Sequence, residues 1–158
     1  MTYLGASGEH TGLLRTGVGS LAMGPGTATQ ATFVAPGSVT GGQFGLFRWD
    51  MPAASGSSGM HCHRGFSESF YVISGTVRLF GGGKWSEVGD GGFLFVPPGG
   101  VHGFSNESGA PASMLILFAP GVAREKYFEE LAGIRASGAV LTDEEWADLF
   151  ARHDQVNL

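Results

Sequence analysis

Apolar residues along this chain fall into short runs separated by turn-forming residues, with little sign of helical spacing before residue 120. From Glu68 onward the runs Ser69–Ile73, Thr76–Phe80, Phe93–Val96, His102–Ser105 and Ala112–Phe118 follow closely, set off by Gly, Pro or Asn. Gly81-Gly82-Gly83 and Gly89-Asp90-Gly91-Gly92 mark tight turns, and β-branched and aromatic residues fill the stretches between. This spacing predicts an all-β sandwich or barrel. A further strand is predicted over Gln43–Met51, and weaker runs at Leu13–Thr16, Ser20–Met23 and Ala28–Val34 are expected to supply N-terminal strands.

The period changes after Pro120-Gly121. Over Val122–Ile134, Tyr127, Phe128, Leu131 and Ile134 recur at helical spacing. A second helix is predicted to start at Thr142, where Glu145 completes a capping box and Trp146, Leu149 and Phe150 form an apolar stripe. Both helices are expected to pack on the outside of the barrel, the stripe docking against the sheet or a partner subunit. The chain is thus read as one domain, 1–158, with N-terminal strands in 1–42, a barrel core in 43–120 and a helical tail in 121–158.

Composition supports this reading. Of 158 residues 28 are glycine, without the period of a collagen, which suits many turns between short strands. At 42% hydrophobic and 15% charged, the chain has ample material for a core. The net charge is −5 with only nine Lys plus Arg and no basic cluster, so nucleic acid is excluded as a partner. The apolar runs are far shorter than the ~18 residues of a membrane span. Met1–His10 has neither the basic nor the apolar segment of an export signal, and Cys62 is the sole cysteine, so a cytoplasmic location is expected.

The chemistry concentrates in two places. His61 and His63 are two apart, so on a strand both imidazoles leave one face while Cys62 points to the other, as a small buried hydrophobe. Glu68 follows after a stretch with a glycine able to turn the chain, and His102 adds a third imidazole from a distant run. Three imidazoles and a carboxylate suit one divalent transition ion, iron, manganese, nickel, copper or zinc, with one or two positions left open. The alternative is an internal hydrogen-bonded cluster without metal. The small-residue loop Ala53–Gly59 precedes the first pair and reads as solvated, though its lack of bulk suits a sharp turn beside a site.

These residues resemble the cupin superfamily. Its first motif, G(x)5HxH(x)3-4E(x)6G, is matched by His61, His63, Glu68 and Gly75, with the leading glycine, Gly56, one residue nearer than the pattern asks. Its second, G(x)5PxG(x)2H(x)3N, is met by Gly91, Pro97, Gly99, His102 and Asn106. The resemblance implies an antiparallel jelly-roll barrel holding one divalent ion on His61, His63, Glu68 and His102. Asn106 is expected to tie down backbone, while His10 and His153 are expected at the surface. The tail, Ala119-Pro120-Gly121 followed by Arg124–Leu131, also resembles that of quercetinase-type monocupins.

The activity that this implies is that of a metal-dependent oxidoreductase, a dioxygenase acting on a small aromatic or enolisable molecule. Glu68 is the candidate catalytic base. Trp49, Phe70, Phe95 and Phe104 are the candidate pocket walls, and Arg48 the candidate anchor for an anionic substrate. Two other readings stay open: a zinc-dependent cyclase or isomerase of polyketide-type substrates, and a small-molecule binding protein without catalysis. The resemblance also implies a homodimer.

Overall fold

The structure, a computed structural model, describes residues 12–24 and 29–158. His10 lies outside the described residues. The strands, in chain order, are β1 (Ser20–Ala22), β2 (Gln30–Ala35), β3 (Gly45–Met51), β4 (His61–Cys62), β5 (Ser67–Ser74), β6 (Val77–Gly81), β7 (Lys84–Val88), β8 (Phe93–Val96), β9 (Gly103–Ser105) and β10 (Ala112–Ala119). Helices α1 (Arg124–Ser137) and α2 (Asp143–Arg152) follow, then β11 (Val156–Asn157). A six-stranded antiparallel sheet has the order β1-β2-β3-β10-β5-β8, and β7-β6-β9 and β11-β4 form two smaller sheets. An isolated bridge joins β4 to the chain just before β9: the amides of His61 and His102 each donate to the other's carbonyl at 2.9 Å. The resulting architecture is the antiparallel jelly-roll barrel expected from the sequence.

Strict alternation decides which side chains enter the barrel. In β3, Phe47, Trp49 and Met51 are buried whereas Arg48 is exposed. The pairing of β10 with both β3 and β5 builds inward rows, Trp49–Met114–Val72 and Phe47–Ile116–Phe70, and the next row sets Phe118 beside Glu68. The carboxylate therefore lies on the inner face by parity. Gly75 turns β5 into β6 at φ +79°, and a Cβ there would meet the Pro111 carbonyl oxygen at 2.5 Å. Only glycine satisfies both demands.

Several elements depart from expectation. Leu13–Thr16 forms no strand; Leu13 and Leu14 are exposed, and the run meets β2 only through the Arg15 side chain, which donates to the Phe33 and Val34 carbonyls at 2.8 and 2.7 Å. Strands β7, β4 and β11 were not foreseen, the last two being too short to leave a pattern. The second helix is capped as the sequence predicts: Thr142 Oγ1 accepts from the Glu145 amide at 3.2 Å, and Glu145 accepts from the Thr142 amide at 2.7 Å. Its Leu149 is buried, while Trp146 and Phe150 stack with ring centroids 5.5 Å apart and pack against the core.

The first helix keeps Lys126, Glu129 and Gly133 exposed, as packing on the outside of the barrel requires, but its inner stripe reaches the interior. Arg124, Tyr127, Phe128 and Leu131, at the i, i+3, i+4, i+7 spacing of one stripe, are all buried. Phe128 enters the barrel, its ring 5.2 Å from Phe47, 5.1 Å from Trp49 and 6.2 Å from Phe118. Among the described residues no helix is long and apolar enough to cross a membrane.

Candidate metal centre

Four short stretches converge inside the barrel. β4 carries His61, the turn after it carries His63, β5 carries Glu68, and His102 stands just before β9. All four are buried, and one ligand atom from each can be chosen so that all lie within 4.8 Å of one another. The imidazole centroids are 4.3 Å apart for His61 and His102, 4.9 Å for His61 and His63 and 5.2 Å for His63 and His102.

The orientation of the rings is set by backbone. Each Nδ1 donates to a main-chain carbonyl: His61 to Gly59 at 3.2 Å, His63 to Asp154 at 2.6 Å and His102 to Gly100 at 2.9 Å. That arrangement leaves the Nε2 atoms for the centre, and an ion-binding histidine is usually oriented in this way through its other nitrogen. Glu68 Oε2 accepts from His63 Nε2 at 3.0 Å and from His102 Nε2 at 2.8 Å. Burial alone would raise the Glu68 carboxyl, but the hydrogen bonds from His102 and His63 outweigh it and hold the group far below the usual carboxylate range. Burial works to lower His102, yet its bond to Glu68 and that carboxylate's charge raise it above an ordinary histidine. His61 is lowered to about 4, chiefly by burial and then by the neighbouring His102, so it stays neutral and free to ligate. Three imidazoles and one carboxylate with converging atoms and externally anchored rings fit a divalent transition ion.

Asp154 was not foreseen and is central to this geometry. Besides receiving the His63 proton on its carbonyl, it accepts on its carboxylate from the amides of Arg64, at 3.0 Å, and Gly65, at 2.6 Å. The segment after α2 thus holds the turn that carries a candidate ligand, and the pairing of β11 with β4 secures it from the other side. Asp154→Ala is expected to lower metal affinity about 10–100-fold, as loss of ligand-orienting groups does, while Asp154→Asn, which keeps an acceptor, retains most of it. Competition with a chromogenic chelator reads both.

A cavity of about 580 Å³ opens beside the cluster, and His61 and Glu68 form part of its wall. Of the expected pocket residues, Trp49 and Phe104 line it, their rings 5.9 Å apart. Phe70 is fully buried beneath, its ring 5.9 Å from His102. Phe95 and Arg48 are corrections. Phe95 is 56% exposed and pairs across from Ser69, on the opposite parity to Val96 and Glu68, so it faces away from the cavity. Arg48 alternates with Trp49 and points outward, where it pairs with Asp50 at 2.8 Å. Adjacent residues of a strand point to opposite faces of its sheet, and here only Trp49 of the two faces the cavity.

The cation inside is Arg124, which the sequence reading passed over. It lies one turn before Tyr127 on the stripe of α1, and that register was the available signal. Tyr127, Phe128 and Gln155 from the tail, and Ser57 and Ser58 from the small-residue loop, also reach the cavity. That loop is therefore cavity wall as well as turn. His153, expected at the surface, instead donates to Glu130 at 2.8 Å and lies with its ring 5.2 Å from Tyr127. Cys62 is half-buried and unpaired. Asn106 ties down backbone as anticipated, donating to the carbonyls of Pro52 and Ala110, both at 2.8 Å.

Residues 47–118 match the family model for the cupin domain. Among solved structures, a predicted oxalate decarboxylase from Thermotoga maritima aligns at 19% identity and TM-score 0.56, over 65% of this chain and 91% of its own. The polyketide cyclase RemF from Streptomyces resistomycificus aligns at 25% identity and TM-score 0.56, over 70% and 79%. An RmlC-like cupin from Shewanella frigidimarina aligns at 19% identity and TM-score 0.56, over 70% and 88%. The chain matches no curated protein by sequence. With both histidine motifs and the jelly-roll barrel in agreement with that match, residues 47–118 form a cupin domain.

Proposed function

We propose that this cupin is a metal-dependent enzyme acting on a small aromatic or enolisable molecule, with His61, His63, Glu68 and His102 as the ligands of one divalent transition ion. The observation that carries this reading is that His61 and Glu68 open into the same cavity as the aromatic side chains of Trp49, Phe104 and Phe128. Iron, manganese, nickel, copper or zinc would supply Lewis acidity and open positions for a substrate oxygen. The aromatic walls clamp a flat substrate and exclude water from it. Glu68, once loosened from the ion, is the base for the proton lost when an enol ionises.

Among the reactions open to such a site, we place oxygen-dependent cleavage of an enolisable substrate first. The resemblance of the tail to that of quercetinase-type monocupins supports it. Zinc-dependent cyclisation or isomerisation is the second reading, favoured by the likeness to RemF. Elemental analysis followed by oxygen-electrode assays with flavonols, diketones and thiols separates them. Oxygen uptake matched to substrate loss is the expected result. Conversion without oxygen uptake points to the second reading, and saturable binding without conversion by any metal form would leave a binding protein.

We also propose a homodimer joined over the outer face of β5 and β8. Tyr71, Ile73, Phe93 and Phe95 are all exposed there, beside a sheet edge with unpaired backbone. Sedimentation tests it.

A further inference from the structure

The cavity holds a cation that no acidic group on its walls is free to neutralise. Arg124 is only 4% exposed. Its Nη1 donates to the His153 carbonyl at 3.0 Å and its Nη2 to Gln155 Oε1 at 3.2 Å, both neutral acceptors. The guanidinium lies 4.1 Å from the centre of the Tyr127 ring, and Nε has no hydrogen-bond partner. An arginine stays charged even when buried, and a buried charge without a counter-ion is costly.

No nearby acid pairs with this guanidinium among the described residues. Glu68 accepts from His63 and His102. Asp154 takes the amides of Arg64 and Gly65, and Glu125, off the cavity wall, takes the amide of Ser38 on Oε1 at 3.3 Å with Oε2 unpartnered. Among the described residues on the cavity wall, Glu68 is the only acid, whereas Arg124 and Arg135 are both cationic. Arg135 is exposed at the rim, with Nη1 donating to the Met23 carbonyl at 2.9 Å. One negative and two positive charges leave the cavity net positive before any ion binds, and a dication would make it more so.

We infer that the natural ligand of this cavity is a planar aromatic carboxylate, its ring held between aromatic walls and its carboxylate on the free Nε edge of Arg124. The inference rests on the reading of the cavity as the substrate site and names the substrate class. Two of the guanidinium's donor directions are already used, so the remaining edge suits a two-oxygen carboxylate. A phosphate would call for more donors than this wall presents.

The probes are 2-naphthoate and 2-naphthamide, equal in shape and different in charge, titrated into the full chain carrying Trp85→Phe and Trp146→Phe, with quenching of the remaining Trp49 fluorescence as the readout. Both are tested on chelator-treated protein, so that carboxylate binding to a metal contributes nothing. Protein with Arg124 in place is expected to bind the acid about 10–100-fold more tightly than the amide, the usual worth of a charge-assisted hydrogen bond. Arg124→Gln should remove most of that preference, acid affinity falling more than amide affinity, and Arg124→Lys should keep more of it. Should Arg124→Gln fail to fold, Arg135→Gln at the exposed rim serves instead and should lower the preference by a smaller factor. Equal binding of acid and amide by protein with Arg124 in place overturns the inference, as does absence of quenching by either up to millimolar concentration. Metal loading measured on the same preparation keeps the two ideas apart. A preference for the acid in protein that takes up no metal would sink the metal reading alone, and normal metal uptake with no such preference would sink this one alone.

Discussion

His61→Ala and His102→Ala are each expected to leave the purified chain nearly free of metal, where the unaltered chain should carry about one equivalent of a divalent transition ion. This is the outcome expected where every candidate ligand is buried and each imidazole is anchored through Nδ1 to backbone. Groups that merely orient a ligand cost about 10–100-fold in affinity when lost, so removing a ligand itself should cost more than about a hundredfold. Full metal content in both variants would show that the cluster is an internal hydrogen-bonded network. The same titration carried downward in pH should show affinity falling from neutrality. Glu68 holds a proton on His102 above the usual histidine range, and that proton must leave before the nitrogen can ligate. His61, lowered to about 4, stays deprotonated throughout this window and does not limit loading.

The second large effect is on stability. Phe128→Ala is expected to cost about 3–5 kcal/mol, the usual range for removing a buried aromatic ring. Phe128 is held by Phe33, Phe47, Trp49, Phe118 and Tyr127 with centroid separations of 5.1 to 6.3 Å, so a helix from the tail is anchored into the barrel by one side chain. For a domain of this size the loss corresponds to a fall in Tm on the order of 10 °C. Val140→Ser, at a position 94% exposed between the helices, should shift Tm by no more than about 1–2 °C. A Phe128→Ala variant that melts like the unaltered chain would mean that Phe128 of α1 does not enter the barrel in solution.

The strands nearest the site were legible because each carries its own local code. The inward parity of Phe47, Trp49, Met114 and Ile116 follows from simple alternation, and the turn after β5 from a glycine in a conformation other residues avoid. The two motifs placed His61, His63, Glu68 and His102 on a shared inner face. The errors came where a residue was read by type and not by parity. Arg48 and Trp49 were assigned to one pocket although neighbours on a strand must diverge, and Phe95 was assigned to the interior against the parity of Val96.

The role of the tail was of another kind. Helix α1 and the capping box of α2 were readable from spacing, because the hydrogen bonds that make a helix are local. Where those helices go is decided by contacts between residues far apart in sequence. Asp154 lies about ninety residues from the histidine it orients, and Arg124 enters a cavity built by strands that precede it. Nothing in the composition of residues 121–158 distinguishes a stripe that covers a barrel from one that fills it. The sequence by itself determined the barrel, the inward histidines and the existence of two helices. Only tertiary structure decided that the tail completes the site, because the side chains that bury Phe128 and Leu131 come from strands far away in sequence.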